Sequence, residues 1–277
     1  MTPELKNMFS SFPDRAQSIT LVFNIVSRYL LFTGLAYVFF YVWRKRKYWL
    51  SKIQQRYPDN KQVVNEIKNS FISMCIFGVV ILLNIWAGNK GLTMAYAPLD
   101  KHGYVFFAFS IVLMIFVHDT YFYWTHRLLH WKPLFKAVHK THHLSVNPTP
   151  FAAYAFHPAE ALVEVGIIPL VSFTIPHATA AITVFVLYSL FLNVIGHLGY
   201  ELFPKGFAGH WLFKWHNTST HHNMHHRLTK CNYGLYFNFW DRLMHTNHPD
   251  YVETFDEVVE RRSQNEIPVM PDEVLAD

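Results

Sequence analysis

The sequence contains little charge and little cysteine for its length. Only 16% of its 277 residues are charged, whereas soluble globular domains contain about 25%. Its two cysteines, Cys75 and Cys231, are too few for a disulfide framework. The low charge argues against an ordinary soluble protein, and the few cysteines predict that the functional groups face a reducing compartment.

Histidine is absent from the first 101 residues, although the whole chain contains 18. The first 18 residues also lack the apolar core of a signal peptide, since Glu4, Lys6, Asp14 and Arg15 interrupt them. No internal repeat and no low-complexity stretch occurs. We therefore expect the later apolar segments themselves to direct membrane insertion.

Hydrophobic residues make up 51% of the chain and aromatic residues 17%. Apolar segments cover about residues 19–43, 71–87 and 104–124, and then a pair, 161–175 and 178–196, broken at Pro176. Each of the first three can cross a hydrocarbon core of about 30 Å. The pair predicts a helical hairpin, tilted or not fully spanning. We predict an all-α integral membrane protein with about four transmembrane helices; a large soluble helical protein is the alternative.

The placement of basic residues predicts the orientation in the membrane. Residues 88–103 hold only Lys90 and Lys101, whereas residues 44–70 hold Arg44, Lys45, Arg46, Lys47, Lys52, Arg56, Lys61 and Lys68. By the positive-inside rule, the basic loop 44–70 is cytoplasmic and the loop 88–103 is not. Alternation then places 125–160 and 197–277 on the same side, together with every histidine cluster. No basic–aromatic pattern of a nucleic-acid interface appears.

We divide the chain into three parts on this basis. Residues 1–103 form an N-terminal membrane segment with two transmembrane helices, and residues 104–250 form the histidine-bearing domain with a cytoplasmic helical cap. Residues 251–277 contain many carboxylates and are predicted to form an acidic, soluble and partly helical tail.

Three histidine clusters have the spacing of residues on one helix face. They are His126 with His130, then His139, His142 and His143, and finally His222, His225 and His226. Residues three and four apart share a helix face, so each cluster can present its imidazoles to one point. Because one structural or catalytic zinc ion takes about four ligands, these eight side chains predict a two-metal site. His197 is the ninth predicted ligand, since it ends the returning hairpin helix four residues after Asn193.

Several polar residues close to these clusters could support the ligands. A metal-bound imidazole usually donates its other N–H to a carboxylate or a carbonyl. The candidates for such supporting roles are His118, Asp119, His157, Glu160, Glu164, Asn193 and His221. A helix-capping or ion-pairing role is the alternative for the carboxylates.

The ligand type leaves the metal and its chemistry open. Imidazole suits zinc, copper, iron and nickel alike. The same ligands could serve a membrane oxidoreductase, a zinc-dependent hydrolase that generates hydroxide, a metal transporter or a bis-histidine haem protein. A transporter would place ionisable residues at mid-membrane, whereas these clusters lie at or beyond the ends of the apolar segments.

The histidine clusters resemble the eight-histidine signature of the fatty acid hydroxylase/sterol desaturase superfamily, and the resemblance covers about residues 105–247. Within it, the stretch Pro148–Pro158 and the motifs Asn232-Tyr-Gly234 and Phe239-Trp-Asp-Arg-Leu243 are similar to the sterol C-5 desaturases, the lathosterol oxidases. The Asn193-x3-His197 pair is similar to an element of the acyl desaturases. Where the superfamily has Gly-Thr, this chain has His245-Thr246.

The resemblance implies a di-iron centre that uses O2 to desaturate or hydroxylate a lipid, with a sterol-like substrate favoured. A fatty-acyl, sphingolipid or carotenoid substrate is the alternative on the same scaffold, and zinc could replace iron. His157-Pro158 is followed by Ala-Glu, not by the glycine pair of a small b-type cytochrome. The electron donor is therefore expected to be a separate protein, a b-type cytochrome or a ferredoxin with its reductase. The membrane would be the endoplasmic reticulum or a bacterial inner membrane.

Overall fold

Four long apolar helices dominate the structure. The structure is a computed structural model that describes residues 11–99 and 101–263. Within these residues, four helices are long and apolar enough to cross a membrane: α1 (Arg15–Trp43), α2 (Asn60–Asn89), α3 (Gly103–Leu129) and α7 (Thr179–Gly196). Their outward side chains are apolar and exposed; Phe23, for example, is 69% exposed. The chain is thus an all-α integral membrane protein, as the sequence predicts.

The helices extend beyond the apolar segments because polar residues cap them. Asp14 accepts a hydrogen bond from the Gln17 amide at 2.8 Å, and the Gln17 side chain bonds back to Asp14. This reciprocal pair satisfies amides at the start of α1 that have no partner within the helix. Asp59 accepts from the Gln62 amide at the start of α2. As a result, α2 begins about three turns before the apolar stretch does.

The predicted hairpin has unequal arms. Its first arm consists of two eight-residue helices, α5 (Pro158–Val165) and α6 (Ile167–Thr174), which meet at Gly166. A Cβ at Gly166 would lie 2.8 Å from the Tyr121 hydroxyl, so the helices of this bend can approach α3 only because the residue is glycine. The second arm, α7, is one continuous helix of 18 residues. Only this second arm is long enough to span.

A two-residue parallel sheet joins the helices at the end of the bundle far from the three histidine clusters. Strand β1 (Ala95–Tyr96) pairs with β2 (His177–Ala178), and Ala95 lies opposite His177. The amide of Met94 donates to the Ser172 carbonyl at 2.8 Å. This sheet fixes the start of α7 against the loop between α2 and α3.

The opposite end of the bundle carries a helical cap, which we define as residues 130–157 and 197–263. It contains α4 (Lys140–His143), α8 (Ser219–Leu228), α9 (Phe239–Leu243) and α10 (Tyr251–Ser263), together with the short turns Lys132–Leu134, Phe135–His139, Pro150–Tyr154 and Phe213–Trp215. A further short turn, Trp49–Ser51, follows α1. The basic segment after α1 reaches the cap, where Gln54 donates to Asn223 at 2.9 Å. The histidines and this segment therefore lie at the same end of the bundle.

The first half of the predicted soluble tail packs onto the cap. Tyr251, Phe255 and Val259 of α10 are buried and form a cluster with Met224 of α8. Such a stripe of residues four apart is the buried face of an amphipathic helix. The rest of the predicted tail, 264–277, lies outside the described residues.

Candidate metal centre

Helix ends deliver the histidines to one place. His126 lies in the last turn of α3 and His130 caps it, while His197 caps α7. Pro133 starts a new turn directly after α3, because proline cannot continue a helix as an interior residue. The chain then turns back and places His139 against His126, with their Nε2 atoms 3.1 Å apart.

The nine histidines form two groups, each of which could hold one metal ion. Within each group the ligand atoms all lie within 4.8 Å of one another. Group A is His126, His130, His139, His143 and His225, and group B is His142, His197, His222 and His226. The rings of His143 and His226 link the two groups, with centroids 5.0 Å apart. The structure thus brings together, in two sets, all nine residues that the sequence analysis selected.

Backbone carbonyls determine which nitrogen of several rings carries the proton. In group B, the Nδ1 atoms of His142 and His197 lie 3.4 and 2.8 Å from the carbonyls of Ala155 and Asn193. A carbonyl only accepts, so each Nδ1 must carry hydrogen and each Nε2 a lone pair. These two Nε2 atoms are 3.4 Å apart. Two lone pairs directed at each other without a proton between them repel, and a cation between them removes the repulsion.

Group A shows the same arrangement, and one of its ring nitrogens that carry a lone pair is unpaired. The Nδ1 atoms of His126 and His225 lie 2.8 and 2.7 Å from the carbonyls of Tyr233 and Cys231. The Nε2 atom of His225 is buried and has no hydrogen-bond partner in the part of the chain that the structure describes. An unpaired buried polar atom costs about 1–3 kcal/mol, and coordination of a metal ion would offset that cost. The residues therefore fit a metal ion in each group.

Burial keeps these imidazoles neutral, which metal binding requires. Burial lowers the pKa of His143 to about 3 and that of His197 to about 4. The pKa values of His139, His222 and His225 are also lowered well below the usual range, by burial first and by neighbouring histidines second. Protonation of one of these buried imidazoles is unfavourable, whereas a metal ion bound by several of them takes the place of the protons.

Glu160 is the one predicted supporting carboxylate that touches a ligand histidine. Its Oε1 atom lies 2.7 Å from Nδ1 of His139, and both side chains are buried. Burial raises the pKa of Glu160, and a cation held by His139 would favour the carboxylate form. Its other oxygen, Oε2, has no partner among the described residues.

The other supporting candidates have different contacts. Asp119 accepts from the amides of Tyr236 and Phe237, and His118 contacts the Tyr236 hydroxyl at 2.8 Å. His157 caps α5 by accepting from the Ala159 amide. Asn193, His221 and Glu164 also have partners outside the two groups: Asn193 donates to the Ala153 carbonyl, His221 packs on Tyr251, and Glu164 lines the cavity described below.

Sequence reasoning missed the loop 231–237, whose carbonyls orient His126 and His225. Asp241 holds this loop by accepting from the amides of Tyr233 and Gly234, each at 2.8 Å. Asp241 lies in the Phe239–Leu243 motif, so that motif was the available signal. His245, at the position where the superfamily has glycine, adopts a φ of 55°. Histidine tolerates this left-handed conformation better than most side chains do.

A cavity of about 540 Å³ lies within the helix bundle and ends close to the two histidine groups. Near the centre it is lined by Phe122, Phe156 and Asn193. The ring centroids of Phe156 and His142 are 5.1 Å apart, and those of Phe122 and His126 are 4.8 Å apart. Both the size and the mostly apolar lining are typical of a small-molecule site. The cavity thus ends one aromatic layer from both histidine groups.

Comparison with known proteins identifies the superfamily. Residues 111–246 match the profile of the family described as fatty acid hydroxylase. The chain is 30% identical to a Delta(7)-sterol 5(6)-desaturase of Gibberella zeae, over 82% of this chain and 68% of the relative. It is 31% identical to one of Aspergillus fumigatus, over 78% and 70%, and 30% identical to the lathosterol oxidase of Homo sapiens, over 66% and 60%. No solved structure gives a significant match. The chain therefore belongs to the fatty acid hydroxylase/sterol desaturase superfamily.

Proposed function

We propose that the protein is a membrane oxidoreductase that uses O2 and a di-iron centre to desaturate or hydroxylate a lipid. The observation that carries this proposal is the position of both histidine groups one aromatic layer beyond the end of an apolar cavity within the membrane-spanning bundle. The sterol desaturases among the relatives favour a sterol-like substrate. A fatty-acyl, sphingolipid or carotenoid substrate would use the same cavity.

The nine histidines would hold the two metal ions, five around one and four around the other. When bound, the irons would supply the activation of O2 that attack on an unactivated C–H bond requires. The chain itself supplies rigid ligands: Glu160 and the carbonyls of Tyr233 and Cys231 orient His139, His126 and His225. Such partners typically change metal affinity or activity 10–100-fold when they are removed.

The cavity lining would position the lipid and exclude water. Phe122 and Phe156 lie between the cavity and the ligand histidines. They would hold an apolar segment of the substrate against the centre, and their movement would control its final approach. A dry site also protects a reactive centre from side reactions.

Electrons would come from a separate donor on the cytoplasmic side. His130 is the one histidine of the two groups that is only half-buried, so the centre comes closest to the cap surface there. The basic segment 44–56, at the same end of the bundle, supports the cytoplasmic orientation by the positive-inside rule. The membrane would be that of the endoplasmic reticulum or a bacterial inner membrane.

The decisive experiment combines metal analysis, O2 consumption and lipid profiling. The purified protein should contain about two irons per chain and consume O2 when a reductant and the lipid substrate are supplied. Cells that express the protein should contain a lipid with one more double bond or hydroxyl group than control cells do. A zinc-loaded protein that consumes no O2 and hydrolyses a lipid instead would establish the rival zinc hydrolase.

A further inference from the structure

One side of the cap, together with the end of α3, exposes an apolar surface. Six large side chains form it, and we call them the aromatic patch: Trp124, Leu128, Trp131, Trp215, Phe239 and Leu243. Each is between 41% and 62% exposed. The three residues of α3 are spaced four and three apart, and the two of α9 are four apart, so each set shares one helix face.

A series of ring contacts joins the α3 part of the patch to the cap part. The ring centroids of Trp124 and Trp240 are 5.5 Å apart, those of Trp240 and Phe239 are also 5.5 Å apart, and those of Phe239 and Trp215 are 6.4 Å apart. The indole N–H of Trp240 donates to the Thr120 hydroxyl at 3.1 Å, which fixes α9 against α3. The aromatic patch is therefore one continuous surface.

The cap packs on α3 at a depth that the apolar stretch 104–124 already covers. The Phe237 ring stacks on Phe116, with centroids 5.5 Å apart. Phe116 faces outward, with 57% of its surface exposed, and lies eight residues, or about 12 Å, before the end of that stretch. Trp240 contacts Trp124 at its last residue. Helix α9 thus lies at the level where α3 passes from the hydrocarbon core to the headgroup layer.

The charges beside the aromatic patch are basic. Residues 124–140 and 203–216 contain no Asp or Glu, but they contain Arg127, Lys132, Lys136, Lys140, Lys205 and Lys214. The Arg127 guanidinium lies 5.8 Å from the centre of the Trp124 ring, and the Lys214 ammonium lies 5.0 Å from that of Trp215. The one carboxylate of α9, Asp241, is buried. Tryptophan beside lysine or arginine is typical of a membrane–water interface, where the ring meets acyl chains and the cation meets lipid phosphates.

We propose that the aromatic patch is immersed in the leaflet on the side of the cap and that the neighbouring basic residues bind anionic phospholipid headgroups. The patch continues the lipid-facing surface of α3, which favours lipid over a protein partner as its occupant. The proposal goes beyond the oxidation reaction and does not depend on it. His126 lies two residues after Trp124, so the metal centre lies at the level of the headgroups. A lipid substrate would then reach the centre without leaving the membrane.

Spin labels measure the immersion of the patch directly. Cys75→Ala removes the exposed cysteine, and the other cysteine, Cys231, is buried. In this background, Phe239→Cys and Leu243→Cys each receive a nitroxide in the full-length protein, in nanodiscs of phosphatidylcholine and phosphatidylserine in equal amounts. Collisions with O2, which concentrates in lipid, are compared with collisions with a water-soluble nickel chelate.

Two exposed positions supply the reference values. Phe109→Cys lies on α3, seven residues before Phe116 and on the same face, and Glu260→Cys lies on the cap in an exposed ion pair. The labels at Phe239 and Leu243 should resemble the label at Phe109, with frequent O2 and rare nickel collisions. Nickel collisions as frequent as at Glu260 would overturn the proposal. Protection from both reagents would also overturn it, because a protein partner or a second copy would then cover the patch.

Native mass spectrometry tests the recognition of anionic headgroups. The full-length protein is mixed with phosphatidylserine or with phosphatidylcholine, and the bound lipids are counted. Phosphatidylserine should bind severalfold better, and Lys214→Gln should reduce this preference about fivefold. Lys205→Gln is the matched control, because the Lys205 ammonium is already paired with Glu260 at 2.9 Å, and it should preserve the preference. Equal binding of the two lipids by the wild type would overturn the proposed headgroup recognition.

Discussion

The Glu160 carboxylate lies 2.7 Å from Nδ1 of His139, and both side chains are buried. The contact joins α5, which begins the first arm of the hairpin, to the turn Phe135–His139 of the cap. Among the described residues, it is the one ion-pair contact between a carboxylate and either histidine group. A negative charge at this position increases the basicity of the imidazole and opposes the positive charge of a metal ion.

Replacement of this carboxylate should weaken metal binding in group A. In Glu160→Ala the His139 ring loses its acceptor, and we expect metal affinity to fall about 10–100-fold. Metal content after dialysis against graded chelator concentrations measures the change. Glu260→Gln is the matched control, because Glu260 pairs with Lys205 on the surface and is 59% exposed. Equal metal retention in Glu160→Ala and Glu260→Gln would show that Glu160 does not support a ligand.

Two buried histidines on α8 should respond differently to removal. His225→Ala deletes a member of group A, and we expect the purified protein to lose about one metal ion per chain and all lipid oxidation. His221→Ala deletes an equally buried ring that belongs to neither group, so both metal ions should stay. Elemental analysis and membrane fractionation check metal content and insertion. Full turnover by His225→Ala would remove His225 from the ligand set.

A single methyl group at Gly234 should damage the metal centre from outside it. A Cβ there would clash with the Phe237 carbonyl oxygen and lie 2.9 Å from Asp241 Oδ2. The loop must therefore shift, and with it the carbonyls that orient His126 and His225. We expect Gly234→Ala to lower metal content by half or more. Gly78→Ala in α2 is the control, since its Cβ would meet nothing within 4 Å. Unchanged metal content in Gly234→Ala would mean that the loop adapts freely.

Lys52 should make stability depend on pH. Its ammonium is fully buried among the rings of Tyr41, Tyr57 and Tyr200 at 4.8–5.2 Å, and within residues 11–99 and 101–263 it has no hydrogen-bond partner. Burial lowers the pKa of Lys52 to about 7, whereas it is about 10.4 in an unfolded chain. The three rings favour the charged form and so oppose part of this shift.

The sign of the effect follows from the two pKa values. Above pH 7 the unfolded chain binds the proton more tightly, so stability rises with pH by at most about 1.4 kcal/mol per pH unit until about pH 10. The apparent melting temperature of the wild type should therefore rise between pH 7 and pH 9. Lys52→Met should abolish most of that rise, and Lys205→Met, at an exposed lysine, should not. A flat wild-type profile would mean that Lys52 keeps an ordinary pKa.

Much of the architecture follows from the sequence alone, for a local physical reason. A span is an uninterrupted apolar stretch, and a histidine pair four apart shares a helix face; neither depends on the rest of the fold. All four spans and all nine histidines of the two groups were therefore predictable, and Glu160, which contacts His139, was among the predicted supporting residues. The uneven hairpin was less predictable, because the break at Gly166 depends on how closely α5 and α6 approach Tyr121.

Only the tertiary structure assigned the histidines to group A and group B and identified the carbonyls that orient them. His142 and His143 are adjacent in sequence but belong to different groups, because neighbouring side chains on a helix point about 100° apart and face different partners. Such contacts depend on long-range packing, which local patterns in a sequence do not encode.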